Sequence, residues 1–148
     1  MQRNQNNANV LTMLNPAGLY DPSANGYSHV VVTPGAGSWV FVSGQGGEDV
    51  RGVLVADFAV QLRQSLANLV TALAAADADL QDIVRMTILV VDHDEQRLAL
   101  ISKAVNEAWA GRPTPACTLI PVPRLALDGM LIEIDAIASL IAHGVTTA

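Results

Sequence analysis

The sequence predicts an α+β domain: a mixed β-sheet with two helices packed on one face, in the order β-β-α-β-α-β-β. Three observations predict it. Between Asp57 and about Ala76, Phe58, Leu62, Leu66, Leu69 and Leu73 recur every three or four residues, which draws one apolar stripe along a helix. Between Asp94 and Trp109, Leu98, Ile101, Val105 and either Ala108 or Trp109 repeat that period. From Met130 to Ala138 the period changes to two. Ile132, Ile134, Ala136 and Ala138 share one face of a strand, and Leu131, Glu133, Asp135 and Ile137 share the other.

The remaining elements follow from local chemistry. Met1 to Val10 is rich in Asn and Gln, has no periodicity and reads as a loose arm; residues 1–12 and 143–148 are expected to be tails of a single domain spanning residues 1–148. Asn15–Gly18 and Asp21–Gly26 are turn sequences, because Pro presets φ and Gly or Asn accepts positive φ. His29–Thr33 is β-branched and strand-like. Pro34–Gly37 breaks it, and Ser38–Ser43 follows as a second strand, so the two read as a hairpin. In that second strand Trp39, Phe41 and Ser43 point one way and Val40 and Val42 the other. Asp57 suits the first helix's N-terminus, where a negative charge meets the positive end of the dipole. Asp77–Asp79 ends that helix. Ile83–Val91 is almost wholly apolar and reads as a central strand buried on both faces. Gly111 and Pro113 stop the second helix, and Ala116–Val122 is the strand before the last one.

Composition bounds the function. Charged residues make up 15% of the 148, against about 25% in an average domain. Such a chain hides apolar surface, and a second copy of itself is the natural cover. With eight scattered Lys and Arg and a net charge of −6, no nucleic-acid partner is expected, since phosphates need clustered cations. One cysteine excludes an internal disulfide. The N-terminus lacks the pattern of a signal peptide and no apolar run reaches the roughly 20 residues of a membrane helix, so a soluble, cytoplasmic protein is expected.

Candidate chemistry is sparse. His29, His93 and His143 lie in different elements and form no ligand pair, so no metal site is expected. Cys117 is either a small buried hydrophobe or a reactive thiol. Glu133 and Asp135 are carboxylates in an otherwise apolar strand, so their face is either solvated or lines a site. Gly44–Gly47 lets the backbone approach a ligand, or is simply a flexible exit from a strand; it lacks the Gly-Lys-Ser/Thr of a phosphate loop.

Several stretches, in order, resemble the RidA (YjgF/UK114, endoribonuclease L-PSP-like) family: Tyr27-Ser-His, Val40–Gln45 (VFVSGQ), Arg63–Asn68 (RQSLAN), Asp82–Asp92 (DIVRMTILVVD) and Pro121–Ala138 (PVPRLALDGMLIEIDAIA). The resemblance covers roughly residues 15–142. It implies a chorismate-mutase-like homotrimer with a small-molecule site in each cleft between subunits. It also implies hydrolysis of reactive imines or enamines, best known as conversion of 2-imino acids to 2-oxo acids and ammonia, without a cofactor. By the same resemblance Glu133 positions water and moves protons. Tyr27, Ser43, Gly44, Cys117 and Thr118 line the pocket, and Arg124 lies beside it. One position departs from the pattern. Family members that hydrolyse imino acids carry a carboxylate-binding arginine seven residues before the Arg124-Leu125 pair, and Cys117 stands there. A thiol is a weak donor and cannot replace a charge-assisted hydrogen bond of about 1.5–3 kcal/mol. Cys117 then becomes a substrate contact or a nucleophile, and Arg124 a candidate substitute clamp. The other classes open to the sequence are a trimeric small-molecule-binding or stress-protective protein without turnover, and the ribonuclease or translation-inhibitor activity associated with some members.

Overall fold

The apolar stripes become helices wherever an aspartate caps them. In the computed structural model, which describes residues 11–19, 21–28, 30–33 and 37–141, helix α1 spans Phe58–Ala74 and α2 spans Glu95–Ala108. The Asp57 carboxylate accepts the Val60 N–H at 2.8 Å and the Asp94 carboxylate accepts the Arg97 N–H at 2.7 Å. Phe58, Leu62, Leu66, Leu69 and Leu73 of α1 are all buried, as are Ile101 and Val105 of α2 and Trp109 just beyond it. Leu98 is only half-buried, because it faces a cavity. Asp77, with φ 55°, turns the chain out of α1; Ala110 and Gly111, both at positive φ, do the same after α2.

The six strands are β1 (Thr12–Leu14), β2 (Val30–Val32), β3 (Gly37–Gly46), β4 (Ile83–Val91), β5 (Ala116–Val122) and β6 (Ile132–Ile141). Four of them form one mixed sheet in the order β3-β6-β4-β5. The pairs β3–β6 and β6–β4 are antiparallel; β4–β5 is parallel, joined through α2. The register aligns Met86, Ile88 and Val90 with Ala136, Ile134 and Ile132, and these six buried residues form the face on which both helices pack. This is the predicted α+β architecture.

Two details differ from the sequence reading. Val30–Val32 pairs not with β3 but with β1, antiparallel with Thr12 opposite Val32. Three consecutive valines have no alternation to specify a partner, so the pairing falls to Thr12–Leu14, a segment whose strand character the sequence did not signal. Strand β4 is not buried equally on both faces either. Its helix-facing residues are fully covered, while Thr87, Leu89 and Val91 on the other face are half-covered and Arg85 is exposed. The helices shield one face only. On the uncovered face Trp39 is 49% and Phe41 74% exposed.

The arm at Met1–Val10, His29, the break at Pro34–Ala36 and the tail from His143 lie outside the described residues. Among the described residues no helix is long and apolar enough to cross a membrane.

Candidate functional site

The predicted site residues fall into two groups. Glu133, Ser43 and Gly44 form the first. Glu133 projects from β6 onto the uncovered face, opposite Leu89 of β4 and Gly46 of β3. Strand β3 carries one extra residue between Val42 and Gln45, a β-bulge containing Ser43 and Gly44. The bulge brings the Gly44 backbone against the glutamate. A Cβ added at Gly44 would lie 1.9 Å from Glu133 Oε1, with the other close atoms also in the Glu133 side chain. Only glycine leaves the half-buried carboxylate in its seat.

Tyr27, Cys117 and Thr118 form the second group. They line a cavity of about 350 Å³ between β5 and α2, together with Gly26, Leu98 and Ile101. The Tyr27 segment is held there by Ser28, whose N–H donates to the Pro115 carbonyl at 2.8 Å and whose hydroxyl donates to the Thr114 carbonyl. Cys117 is in register with Met86, so its thiol lies on the helix side, against the core. Burial pushes the Cys117 thiol from its ordinary 9.0 up to about 12, offset in part by the Arg85 charge and reinforced by Asp135.

This environment gives no support to Cys117 as an activated nucleophile, which needs a depressed pKa. A thiol at about 12 instead of 9.0 holds roughly a thousandfold less thiolate at pH 8. Iodoacetamide should therefore label native Cys117 far more slowly than the urea-unfolded chain, with a rate still rising at pH 10. Labelling at the free-thiol rate at pH 8 would contradict this environment. The linkage has a definite sign. The raised value leaves stability unaffected below about pH 9, and stability falls above it as the unfolded chain sheds a proton that the folded chain keeps.

Arg124 belongs to neither group. It is exposed in the β5–β6 loop and pairs with Asp128 at 2.9 Å. Asp135 is half-buried on the uncovered face opposite Thr87 and makes no ion pair within 4.0 Å among the described residues. The described residues contain no group of three or more His, Cys, Asp or Glu arranged to hold a metal ion.

The sequence reading missed the polar supports. Gln61 is fully buried on α1; its amide donates to the Val55 carbonyl at 2.9 Å and the Gly129 carbonyl at 2.8 Å and accepts the Leu131 N–H at 2.8 Å. It thus joins the loop entering α1 to the start of β6, two residues before Glu133. Asn68, farther along α1, donates to the carbonyls of Gly46 at 3.0 Å and Glu48 at 2.8 Å and pins the exit of the bulged strand. A signal was present. Gln61 sits beside Leu62 inside the buried stripe, and a polar residue there requires partners.

Comparison with known proteins agrees with this architecture. The model of the family described as Endoribonuclease L-PSP matches residues 20–140. A RutC family protein of Pyrococcus horikoshii is 35% identical over 112 residues, covering 70% of this chain and 80% of that protein. Among solved structures, the Rid-family protein YyfB of Yersinia pestis, whose function is unknown, superposes with a TM-score of 0.83 at 35% identity, over 88% of this chain and 98% of its own. The Escherichia coli protein TdcF, solved with bound serine, has a TM-score of 0.63 at 32% identity, over 70% and 82% of the two chains. With a bulged Gly44 seating Glu133, two helices on one sheet face and a family match over most of its length, the chain belongs to the RidA/YjgF (Endoribonuclease L-PSP) family.

Proposed function

We propose that this protein hydrolyses a reactive imine, enamine or related small molecule at a site completed between copies of the chain in a homotrimer. The observation that carries the reading is the seating of Glu133: a half-buried carboxylate held against a glycine backbone, beside an exposed apolar face. The chemistry needs no organic cofactor. Water adds to the imine carbon while the Glu133 carboxylate takes one of its protons and the imine nitrogen gains one. The protonated Glu133 then gives its proton to the amino group of the resulting carbinolamine. The C–N bond breaks as ammonia leaves, the hydroxyl proton passes to the Glu133 carboxylate and on to the solvent, which restores the proton that the imine nitrogen took, and a carbonyl compound remains. Cys117 serves as a neutral wall of the cavity.

A second copy is needed for a geometric reason. Thr118 is in register with Thr87, whereas Glu133 is in register with Leu89. Two strand spacings and two residues along the strand put Thr118 and Glu133 of one chain roughly 12 Å apart, beyond the span of a small imine. A neighbouring chain's Glu133 group must meet the Tyr27–Thr118 group, and burial of Trp39 and Phe41 would drive the association. Light scattering should give three times the 15.6 kDa chain mass at micromolar concentration; a stable monomer would refute the shared site.

Gly44→Ala provides a local test. The three atoms nearest the new methyl group all belong to the Glu133 side chain and none to the backbone, so folding should be preserved while the carboxylate is displaced and turnover drops at least tenfold. Unchanged turnover would remove Gly44 from the site.

A binder without turnover is the second reading, favoured by a cysteine rather than an arginine at position 117 and by the protonated thiol. Ammonia release in the presence of an imine-generating enzyme separates the two. RNA cleavage, which the family's description names, has little support in a chain of net charge −6.

A further inference from the structure

The cavity between β5 and α2 has no charge in its walls. Cys117 and Leu119 of β5 and Ile88 of β4 form its floor, on the helix side of the sheet, where Ile88 is in register with Leu119. Leu98, Ile101 and Val105 of α2 form the wall above. Gly26, at φ 77°, brings the Tyr27 segment against α2 and closes one side; a Cβ there would lie 3.2 Å from the Val105 side chain. No Lys, Arg, His, Asp or Glu is among the residues that line the space. Burial keeps the Cys117 thiol protonated, with its pKa raised to about 12, so that wall too is neutral. Arg85, on the adjoining strand, stands on the uncovered face; it donates to the Thr118 hydroxyl at 3.1 Å and does not line the cavity. Protein interiors leave few voids larger than a water. This one, at about 350 Å³, is about ten times the roughly 30 Å³ share of a water molecule.

An apolar cavity of about 150 Å³ already takes a benzene ring. We propose that this larger cavity holds an uncharged ring or branched chain of about six to ten carbons, and that the protein selects neutral imines or enamines over those that carry a carboxylate. Water between such walls makes few hydrogen bonds, so an apolar group that displaces it is favoured. A carboxylate must shed its hydration on entering, and no cation in the walls replaces it. The side chain that lacks cover marks the place: Leu98 is only half-buried, while Ile88 and Ile101 beneath it are 2% and 3% exposed. An apolar group lying on Leu98 extends the core outward and leaves the reacting carbon at the mouth. The inference rests on the proposed site between copies and adds its substrate class.

The test is binding, which is independent of turnover. The probes are 4-phenylbutan-2-one, its counterpart with a carboxylate in place of the methyl group, 2-oxo-4-phenylbutanoate, and propanone, which lacks the ring. Each is titrated into the wild type, Leu98→Trp and Leu98→Gln by calorimetry or NMR, with light scattering on each protein. Leu98 is half-buried, so Trp there fills the cavity and Gln makes its wall polar while the closed core beneath is left intact. The expected result is that the wild type binds the phenyl ketone at least about tenfold more tightly than either the acid or propanone. Leu98→Trp removes that advantage and Leu98→Gln reduces it severalfold. Equal or tighter binding of the acid by the wild type overturns the inference. So does failure to bind the ketone at about 5 mM, near the weak limit of specific association, and so does ketone affinity unchanged in an assembled Leu98→Trp. If Leu98→Trp fails to assemble, Leu98→Gln decides: wild-type affinity for the ketone overturns the proposal. Selective ketone binding without ammonia release from any imine would leave the apolar site standing and reject the hydrolase. Ammonia release that favours carboxylate-bearing imines would do the reverse.

Discussion

Glu133→Gln is expected to fold and assemble as the wild type does, and to release ammonia from an imine substrate at least a hundredfold more slowly. Glutamine has the length and shape of the glutamate, so the seat against Gly44 and the strand register with Leu89 and Gly46 are kept. What it loses is the ability to take a proton from water, and a positioned acid–base group is worth about 10²–10⁴ in rate. Following ammonia while an amino-acid-derived imine is generated in situ measures this directly, against the uncatalysed hydrolysis. Full turnover by the variant would remove Glu133 from the chemistry. If the wild type itself gives no acceleration with any imine tested, the binder reading takes over.

The second large effect is expected at Gln61→Leu. Leucine fills a similar volume but offers no polar atom, so the Val55 and Gly129 carbonyls and the Leu131 N–H all lose that partner; Val55 and Gly129 are exposed residues whose carbonyls water can reach, and the half-buried Leu131 N–H bears most of the loss. Each orphaned buried group costs about 1–3 kcal/mol. With the two carbonyls open to water and one half-buried donor orphaned, the total cost is about 2 kcal/mol, a sizeable share of the about 5–15 kcal/mol that holds a domain folded. Urea unfolding should show a markedly lower midpoint with an unchanged slope. Because Leu131 leads into β6, the same change loosens the base on which Glu133 stands, and turnover should fall beyond what the folded fraction explains. A midpoint within experimental error of the wild type would mean that water or another group satisfies those atoms.

Both predictions concern residues that the sequence disclosed to different degrees. Glu133 was visible twice: as a carboxylate out of place in an apolar strand, and within a family motif. Gln61 carried only the first kind of signal, and its three partners are scattered over residues 55, 129 and 131. Thr118 and Cys117 are adjacent in the chain, yet the alternation of β5 sends one toward the uncovered face and the other toward the core. Arg85 read as one more residue of an apolar strand until the β4–β5 register set it beside Thr118.

Periodicity and caps, which act over a few residues, were enough to fix the helices, the strands of the main sheet and the face that each residue of β6 takes. Pairing between distant segments was settled only in the folded chain. That includes the partner of Val30–Val32, the bulge that seats Glu133 on Gly44, and the separation of the Cys117 thiol from the carboxylate by the thickness of the sheet. Strand register is a long-range choice settled by which hydrophobic face finds cover, and no local pattern in the chain records it.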